Sequence, residues 1–438
     1  MPKIVIAGGG VAGVSAALAA RRAGAETVLL EASKRVGFSR ALMPFAVSGG
    51  LKEDDFFLPE ASTLKEDGVE VRTEEKVLEV DHRERKVMTT RGWTRFDALV
   101  LANGSASQMP QVRGVTKANV FGLRALTDYL ELSRALDSAS RVAITGPLPL
   151  ALKLGEAVSA RGRRVDLFCG EDALVQQFPQ AVARRIGAAS LEKGVALVDG
   201  GVEAILGVRR AEAVFSRGVV HPCDCVVIIP RAVPSMPKVE CERGANGGAL
   251  VDPRMQTSLP SVFAAGDAAE LRFKSGSIQA RLYSAARTGG EVAGVNASGG
   301  SALAAFSWPI QQEYFGVECC AAGINQSEAL DVGLESARVD DSFPCTDPAF
   351  GEDRLAVSIV YDVRTNQVYG LRLAGRGAFA WSNAASFVVA LGLTVEQLQR
   401  IESPYTPGLN TGLSPIGLTA GKILSAKRAD AEETSAGV

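Results

Sequence analysis

The stretch Lys3–Glu31, KIVIAGGGVAGVSAALAARRAGAETVLLE, decides the fold of the N-terminal part of the chain. Its first residues, Lys3–Ala7, are mostly apolar and β-branched, which predicts a buried strand. The small residues of Val14–Arg22 predict a helix, and Thr27–Leu30 predicts a second apolar strand. Strand, helix and strand in this order indicate a βαβ unit of an α/β fold.

The turn between the first strand and the helix has the glycine spacing G-x-G-x-x-G. Gly8 makes the tight turn, Gly10 lets the backbone touch a diphosphate, and Gly13 brings the helix against the strand. The helix N-terminus offers free N–H groups to phosphates, and Glu31 can accept hydrogen bonds from a ribose. An ordinary glycine-rich turn is the alternative, but the full order of strand, glycines, helix, strand and acid favours a dinucleotide. The predicted contacts are Gly8, Gly10, Val11, Ala12, Gly13, Glu31 and Ala32.

Length and composition limit the class of protein. A chain of 438 residues predicts two or three domains. The 47 Lys and Arg residues balance 49 Asp and Glu residues, so we expect neither nucleic acid nor a membrane surface as a partner. The first predicted strand begins at Lys3, so we expect no signal peptide. Seven cysteines without framework spacing are typical of a protein in a reducing cytoplasm.

Two later segments end predicted strands with glycine. FDALVLANGSASQMP is Phe96–Pro110, and TSLPSVFAAGD is Thr257–Asp267. In this order they resemble the second and third FAD-contacting segments of flavoproteins with two dinucleotide-binding domains. For Thr257–Asp267 the alternative is an ordinary strand that ends in a Gly-Asp turn. The resemblance implies FAD as the cofactor, the backbone at Val77 beside its adenine, and the helix Ser277–Asn296 near its ring system. The residues it adds to the FAD site are Val77, Ala102, Asn103, Gly104, Gly266, Asp267 and Ala285.

An insert at about residues 113–231 lies between these segments and begins with a second βαβ unit. Arg141–Thr145 and Arg164–Phe168 predict its two strands, with a helix between them. When the two units are aligned, Gly146 takes the position of Gly8.

Two other positions of the insert differ from the first unit. Leu148 stands in the position of Gly10, and Cys169 stands in the position of Glu31. A leucine side chain obstructs a diphosphate, and the ribose-binding acid is missing. We therefore predict that this unit binds NAD(P)H weakly or not at all.

The order of FAD half, nucleotide-like insert, second FAD half and C-terminal domain resembles the pyridine nucleotide-disulfide oxidoreductases. Within that group the chain is most similar to coenzyme A disulfide reductases, NADH oxidases and NADH peroxidases, which carry a redox cysteine in S-F-x-x-C-x-x-P-Y. The corresponding segment here, GFSRALMPF, keeps Phe38, Pro44 and Phe45 but has Ala41 at the cysteine position. Alanine forms neither a mixed disulfide nor a sulfenic acid. The defining disulfide chemistry is therefore absent unless another cysteine substitutes.

The resemblance implies an α/β fold with two Rossmann-like, three-layer domains, the second inserted in the first, and a C-terminal α+β dimerisation domain. Residues 1–112 and 232–307 would form the FAD-binding domain, 113–231 a degenerate NAD(P)-binding-like domain, and 308–425 the dimerisation domain. Residues 426–438 look like a charged, disordered tail.

The resemblance also implies a homodimer in which a partner segment, Tyr-Ala-Pro-Pro, approaches the flavin. Pro404-Tyr405-Thr406-Pro407 stands in that place, which makes Tyr405 a candidate site residue contributed by a second copy. A proline-rich surface turn is the alternative.

Other cysteines could replace the missing one. Cys223 and Cys225 alternate at the start of a predicted strand, and Cys319 and Cys320 are neighbours within a strand-like run. Side chains in each pair therefore face opposite sides of a sheet. Buried free cysteines act as small hydrophobes, so packing is favoured over redox activity, which stays the alternative. No metal-ligand spacing is present.

Arg22, Ser39 and Arg40 are the candidate substrate residues. Arg22 lies on the first helix, near where coenzyme A disulfide reductases hold CoA phosphates, so the resemblance implies a CoA-like anion; a solvated basic helix end is the alternative. Three functions stay open. The first is an FAD-dependent oxidoreductase acting on a small molecule or redox protein rather than a disulfide. The second is a peroxide-forming NAD(P)H oxidase, and the third is a non-catalytic FAD- or ADP-stabilised subunit of a complex.

Overall fold

The computed structural model describes residues 1–273, 275–346, 353–406 and 410–436. They group into two compact units. Unit 1 comprises Met1–Ala139, Gly207–Ala211 and Cys225–Ala305, and unit 2 comprises Ser140–Leu206, Glu212–Asp224 and the described residues from Phe306 onward. The three-domain division with its boundaries stays a prediction.

The strands and helices alternate through most of the chain. In chain order the strands are β1 (Lys3–Ala7), β2 (Glu26–Leu30), β3 (Glu70–Arg72), β4 (Val77–Asp81), β5 (Lys86–Thr89), β6 (Gly92–Arg95), β7 (Ala98–Leu101), β8 (Ser105–Gln108), β9 (Val120–Gly122), β10 (Arg141–Thr145), β11 (Arg164–Phe168), β12 (Val195–Val198), β13 (Ala204–Leu206), β14 (Ala213–Ser216), β15 (Val219–Pro222), β16 (Cys225–Ile228), β17 (Arg231–Pro234), β18 (Ala249–Val251), β19 (Val262–Ala264), β20 (Ala269–Arg272), β21 (Ser277–Ile278), β22 (Ile310–Tyr314), β23 (Val317–Gly323), β24 (Ser336–Pro344), β25 (Arg354–Asp362) and β26 (Val368–Gly375). The α-helices are α1 (Val11–Arg22), α2 (Met43–Ala46), α3 (Glu60–Thr63), α4 (Leu126–Ser138), α5 (Leu148–Ala160), α6 (Gly170–Gln177), α7 (Gln180–Glu192), α8 (Tyr283–Ala297), α9 (Gln326–Asp331), α10 (Ser382–Ala390), α11 (Val395–Gln399) and α12 (Pro415–Ala436). Short 3-10 helices are Arg40–Leu42, Glu53–Phe56, Gly266–Ala268 and Ala378–Trp381.

A five-stranded parallel sheet forms the centre of unit 1, in the order β19-β7-β1-β2-β3. Ile4, Ile6 and Leu29 are fully buried, because a parallel sheet is covered on both faces and its strands read as unbroken apolar runs. The predicted βαβ unit and α/β fold are confirmed.

Helix α8 packs on α1 at very short range. Cβ atoms placed on Gly290 and Gly294 would collide with the backbone oxygens of Ala12 and Ala16, so only glycine allows this approach. The helix begins at Tyr283 rather than Ser277 as predicted, because Ser277–Ile278 form β21 and pair with β20. Ala285 still lies on α8, close to its start.

Unit 2 holds the second βαβ unit and the C-terminal α+β part. Strands β10, β11 and β12 pair in parallel. An antiparallel sheet in the order β22-β23-β26-β25-β24 packs one face against α10, α11 and α12. Its core includes Val357, Ile359 and Leu371, which are fully buried.

Helix α12 corrects one prediction. It runs to Ala436, so the predicted disordered tail is wrong for residues 426–436; residues 437–438 lie outside the described part. The segment is rich in Ala, Glu, Lys and Arg, which favour helices. Lys427 Nζ also ties the helix down by donating to Val363 O at 2.7 Å and to Asn366 Oδ1. Within the described ranges no helix is long and apolar enough to cross a membrane.

Candidate functional site

At two positions where β1 leads into α1, another part of the backbone comes so close that only glycine fits. Gly8 has φ +111°, and a Cβ atom there would collide with Ala102 O. A Cβ atom on Gly13 would collide with Gly8 O. Larger residues would push α1 away from the sheet edge.

Gly10 differs from these two because it faces open space. It is the N-cap of α1, and no described atom lies within 4 Å of a Cβ placed on it. The first N–H groups of an α-helix have no partner within the helix. The N-terminus of α1 at Val11 and Ala12 therefore presents donors and a positive dipole end to this space, which fits a diphosphate.

The Glu31 carboxylate braces the same loop. Its Oε2 accepts a hydrogen bond from Gly9 N at 2.6 Å, and its Oε1 accepts one from Ser33 N at 2.7 Å. An ionised carboxylate has further lone pairs, so it can still accept from a ribose. The sequence analysis did not predict that Glu31 also fixes the glycine turn.

Ala32 and Val77 lie next to this acid. Ala32 follows Glu31 at an exposed position, and Glu75 N donates to Glu31 O at 2.8 Å. That bond holds the chain just before β4, whose first residue, Val77, is buried. The side chain of Val77 is therefore not available to a ligand, and its backbone contact with the adenine stays a prediction.

Asn103 carries an orphaned acceptor. The chain passes from β7 through Ala102, whose N–H donates to Ala7 O at 2.8 Å, into Asn103 and Gly104. Asn103 Oδ1 is buried and has no hydrogen-bond partner among the described residues. Since an unpaired buried acceptor is costly, the atom suits a donor from a bound ligand. Together with the open space at Gly10, it shows that the residues present fit FAD.

Asp267 is the meeting point of three distant segments. Gly266 lies against α1, since a Cβ atom on it would be 3.0 Å from Ala12 Cβ. Asp267 Oδ2 accepts from Arg40 Nη2 at 2.8 Å and from Ser105 Oγ. The structure therefore joins Arg40, a predicted substrate residue, to a predicted FAD residue.

Arg124 and Ser105 belong to this cluster and were missed by the sequence analysis. Arg124 Nη2 donates to Ser105 O at 3.0 Å and lies 4.0 Å from Asp267 Oδ2. Burial, together with the positive charge of Arg40, lowers the pKa of Arg124 to about 10. No local motif marks these residues, because their role depends on contacts across the chain.

Gln279 and Arg281 complete the cluster just before α8. Gln279 Nε2 donates to Asp267 O, and Arg281 Nε donates to Gln279 Oε1 at 2.7 Å. Arg281 also donates from Nη2 to Asn246 Oδ1 at 3.3 Å. Burial lowers the pKa of Arg281, and the Asp267 charge opposes that shift.

Ala41 lies in the short helix Arg40–Leu42 and is exposed. Phe38 of the predicted frame packs on Phe57, with ring centroids 5.7 Å apart. Pro44 is buried and Phe45 is exposed.

The alternative cysteines are buried. Cys319 and Cys320 are each 3% exposed in β23, and neither forms a disulfide. Burial raises the pKa of Cys319 to about 12 and that of Cys320 to about 11. Burial likewise raises the pKa of Cys223 to about 12, and Cys225 is buried in β16. A thiol is a weak nucleophile compared with its thiolate.

The second βαβ unit keeps the turn but has a leucine at the start of its helix. Gly146 has φ +147°, like Gly8, but the next helix begins with Leu148, which is only 8% exposed. Cys169 follows β11 and is half-buried, and burial raises its pKa to about 12. A protonated thiol replaces the carboxylate that a ribose needs.

The predicted substrate residues do not all lie together. Arg22 is exposed at the end of α1, about 18 Å along the helix from Gly10. Ser39 is buried, and Arg40 lies in the Asp267 cluster. Tyr405 is exposed in unit 2, whereas Pro407 of the same predicted segment lies outside the described residues.

The chain is similar to known proteins along most of its length. Residues 2–290 match the family described as pyridine nucleotide-disulphide oxidoreductase. The NAD(P)H coenzyme A polysulfide/persulfide reductase of Pyrococcus horikoshii is 27% identical over 433 residues, which cover 92% of this chain and 94% of that protein. A NAD-dependent persulfide reductase from A. fulgidus has a TM-score of 0.86 at 24% identity and covers 97% of this chain and 84% of its own. A water-forming NADH oxidase from Lactobacillus brevis has a TM-score of 0.87 at 19% identity, with coverage of 98% and 100%. The two solved structures share the fold.

Proposed function

The chain belongs to the pyridine nucleotide-disulphide oxidoreductase family and is an FAD-dependent oxidoreductase; we propose that it transfers electrons between FAD and a substrate that is not a disulfide. The observation that supports this proposal is Ala41, an exposed alanine in the segment GFSRALMPF, whose resemblance to the family pattern would place a redox cysteine at this position. Arg40, the residue before Ala41, donates a hydrogen bond to the carboxylate of Asp267. The electron acceptor or donor is therefore a small molecule or a redox protein.

FAD would lie along the loop and strand ends described above. When bound, FAD supplies hydride and electron transfer. The N-terminus of α1 at Gly10 would hold the diphosphate, Glu31 the ribose, and Asn103 a donor of the cofactor. Asp267 would accept from a hydroxyl group while Gln279 fixes its backbone.

A peroxide-forming NAD(P)H oxidase is the second candidate. The name of the Pyrococcus horikoshii relative includes NAD(P)H, which favours it. The side chain of Leu148 at the start of α5 and the thiol of Cys169 disfavour it, because a dinucleotide needs bare backbone and a carboxylate at these two positions.

We further propose a homodimer formed through the C-terminal part of unit 2. Large apolar side chains are exposed there on the single chain, and such exposure is typical of an interface. They are Phe387, Leu391, Ile401, Tyr405 and Leu413. Tyr405 would then be available to the flavin site of the second copy. A cytoplasmic location that suits seven cysteines without a disulfide completes the proposal. The CoA-like anion at Arg22, Ser39 and Arg40 stays a prediction, because Arg22 lies at the far end of α1 and Ser39 is buried.

Anaerobic reduction separates the three functions. The purified flavoprotein is mixed with NADH and the flavin absorbance is followed, with free FAD at the same concentration as the control. We expect NADH to reduce the flavin no faster than it reduces free FAD, and an organic donor or a reduced iron–sulfur protein to reduce it rapidly. Rapid reduction by NADH would favour the oxidase, and a flavin that no donor reduces would favour a non-catalytic subunit.

A further inference from the structure

We propose that Arg40 and Arg281 form an anion-recognition pair beside the FAD site and that the substrate carries a carboxylate. This inference rests on the proposed function, since it names the substrate class of the same site. Its basis is the arrangement of charge, free donors and exposure around Asp267.

The cluster contains more guanidinium groups than carboxylates in contact with them. Asp267 is within ion-pair distance of Arg40 at 2.8 Å and of Arg124 at 4.0 Å. Arg281 has no ion pair with a carboxylate in the described part of the chain, and its side chain is held only by Gln279 and Asn246. A positive charge is left without a direct counterion.

The other nearby carboxylates are occupied. Asp128 Oδ2 accepts from Arg124 N and Ala125 N, both at 2.8 Å, and so caps α4. Glu270 is fully buried and accepts from Gly248 N at 2.7 Å and from Ser277 Oγ at 2.7 Å. Neither carboxylate is available to turn towards Arg281 without breaking these bonds.

The two proposed anion-binding side chains can be reached from solvent. The Arg40 side chain is 36% exposed and Arg281 is exposed, whereas the side chains of Arg124 and Asp267 are each only 13% exposed. Arg40 Nε and Arg281 Nη1 donate to no acceptor among the described residues. The cluster therefore has free N–H donors on its solvent-accessible arginines, Arg40 and Arg281, while Arg124 and Asp267 are mostly buried.

Arg281 has a strained backbone conformation. Its φ is +51°, in the left-handed region that a residue with a side chain rarely adopts. Strain of this kind persists where the surrounding structure enforces it, and it is frequent at ligand sites. Here the strained residue is fixed between Gln279 and the start of α8.

The geometry favours a small carboxylate over an acidic protein. A guanidinium group matches the planar, two-oxygen shape of a carboxylate. Charges that guide a protein partner lie on an exposed rim, but Arg124 and Asp267 at the base of this cluster are recessed.

The test compares benzoate with its neutral isostere benzamide on the FAD-loaded protein. Binding is followed by the change in flavin absorbance and by calorimetry, with inorganic phosphate as a second anion. We expect benzoate to bind and benzamide not to, and both R40Q and R281Q to weaken benzoate at least about tenfold, as expected for a charged hydrogen bond. R287Q, which removes an exposed arginine of α8 that is 3.8 Å from Glu60, is the matched control and should bind benzoate normally.

Several results would overturn the inference. Equal affinity for benzoate and benzamide, or unchanged benzoate affinity in R281Q, would do so. Tighter binding of phosphate than of benzoate would also do so. The same holds for salt-sensitive binding of an acidic ferredoxin without any benzoate signal. If R40Q fails to retain FAD, the inference is still tested by R281Q and by the comparison of benzoate with benzamide on the unaltered protein. Benzoate binding in a protein whose flavin no donor reduces would refute the proposed function alone.

Discussion

Arg40 Nη2 lies 2.8 Å from Asp267 Oδ2, although 227 residues separate them in the chain. The contact joins the turn that contains Ala41 to the end of the strand that is proposed to hold FAD. An ion pair with Ser105 and Arg124 around it thus lies next to Ala41. The proposed function predicts that chemistry at this site relies on charge and hydrogen bonds rather than on a thiolate.

Substituting Gly10 by leucine should abolish FAD binding. The side chain would enter the space at the N-terminus of α1 that now contains no atom within 4 Å of a Cβ at this position. We expect affinity for FAD to fall at least about a hundredfold, or ~3 kcal/mol, and the purified protein to be colourless. FAD content per chain measures the effect.

Gly201→Leu is the matched control, because Gly201 also faces open space but lies in unit 2. It should retain FAD. A yellow, fully loaded Gly10→Leu variant would contradict the assignment of the diphosphate site.

Gly294→Ala should destabilise unit 1. Alanine normally favours a helix over glycine by about 1 kcal/mol, but here the added Cβ atom would collide with Ala16 O of α1. We expect a loss of about 2 kcal/mol in the free energy of unfolding, measured by urea denaturation. Gly201→Ala should change it little. A gain in stability for Gly294→Ala would show that α8 and α1 do not pack as described.

Local features of this chain could be predicted and long-range ones could not. The turn at Gly8, the strand Lys3–Ala7 and the helix that ends at Arg22 follow from residue type and spacing, because each depends on near neighbours. Arg124 was missed because its partners come from distant segments. The predicted tail failed because α12 is held by Lys427 on a hairpin far away in sequence.

The second βαβ unit should bind NADH and NADPH weakly. Leu148 is buried at the start of α5, where an open backbone would be needed, and Cys169 is protonated at neutral pH. We expect calorimetry to give dissociation constants well above micromolar. The double variant Leu148→Gly with Cys169→Glu should bind more tightly, and Cys169→Glu alone is its control. Micromolar affinity in the unaltered protein, about −8 kcal/mol, would favour the oxidase.

Cys319 and Cys320 should resist alkylation in the folded protein. Burial raises the pKa of Cys319 to about 12 and that of Cys320 to about 11, so both remain thiols from neutral pH up to about one unit below these values. We expect mass spectrometry after iodoacetamide treatment at pH ~8 to find label on the half-buried Cys241 and Cys345. Cys169, whose pKa burial also raises to about 12, should react slowly like Cys319. Unfolded protein, in which all seven cysteines should react, is the control. Rapid labelling of Cys319 or Cys320 would make them candidates for the missing redox role.

Ala41 should limit the reduced protein to the electrons that its flavin holds. No sulfur at this position can share them, and no sulfenic acid can form with peroxide. We expect a dithionite titration to end when the flavin is reduced, with no new thiols afterwards, and any oxygen consumed to appear as hydrogen peroxide. CoA disulfide should not be turned over.

Ala41→Cys tests the same point in the opposite direction. Phe38 and Phe57 still form the frame around this turn, so a cysteine there should give a long-wavelength charge-transfer band on reduction. Ala41→Ser, which has a similar size but no thiolate, should give no band. Uptake of further electrons and the appearance of new thiols in the unaltered protein would mean that another cysteine pair serves as the redox centre, and the non-disulfide proposal would then be wrong.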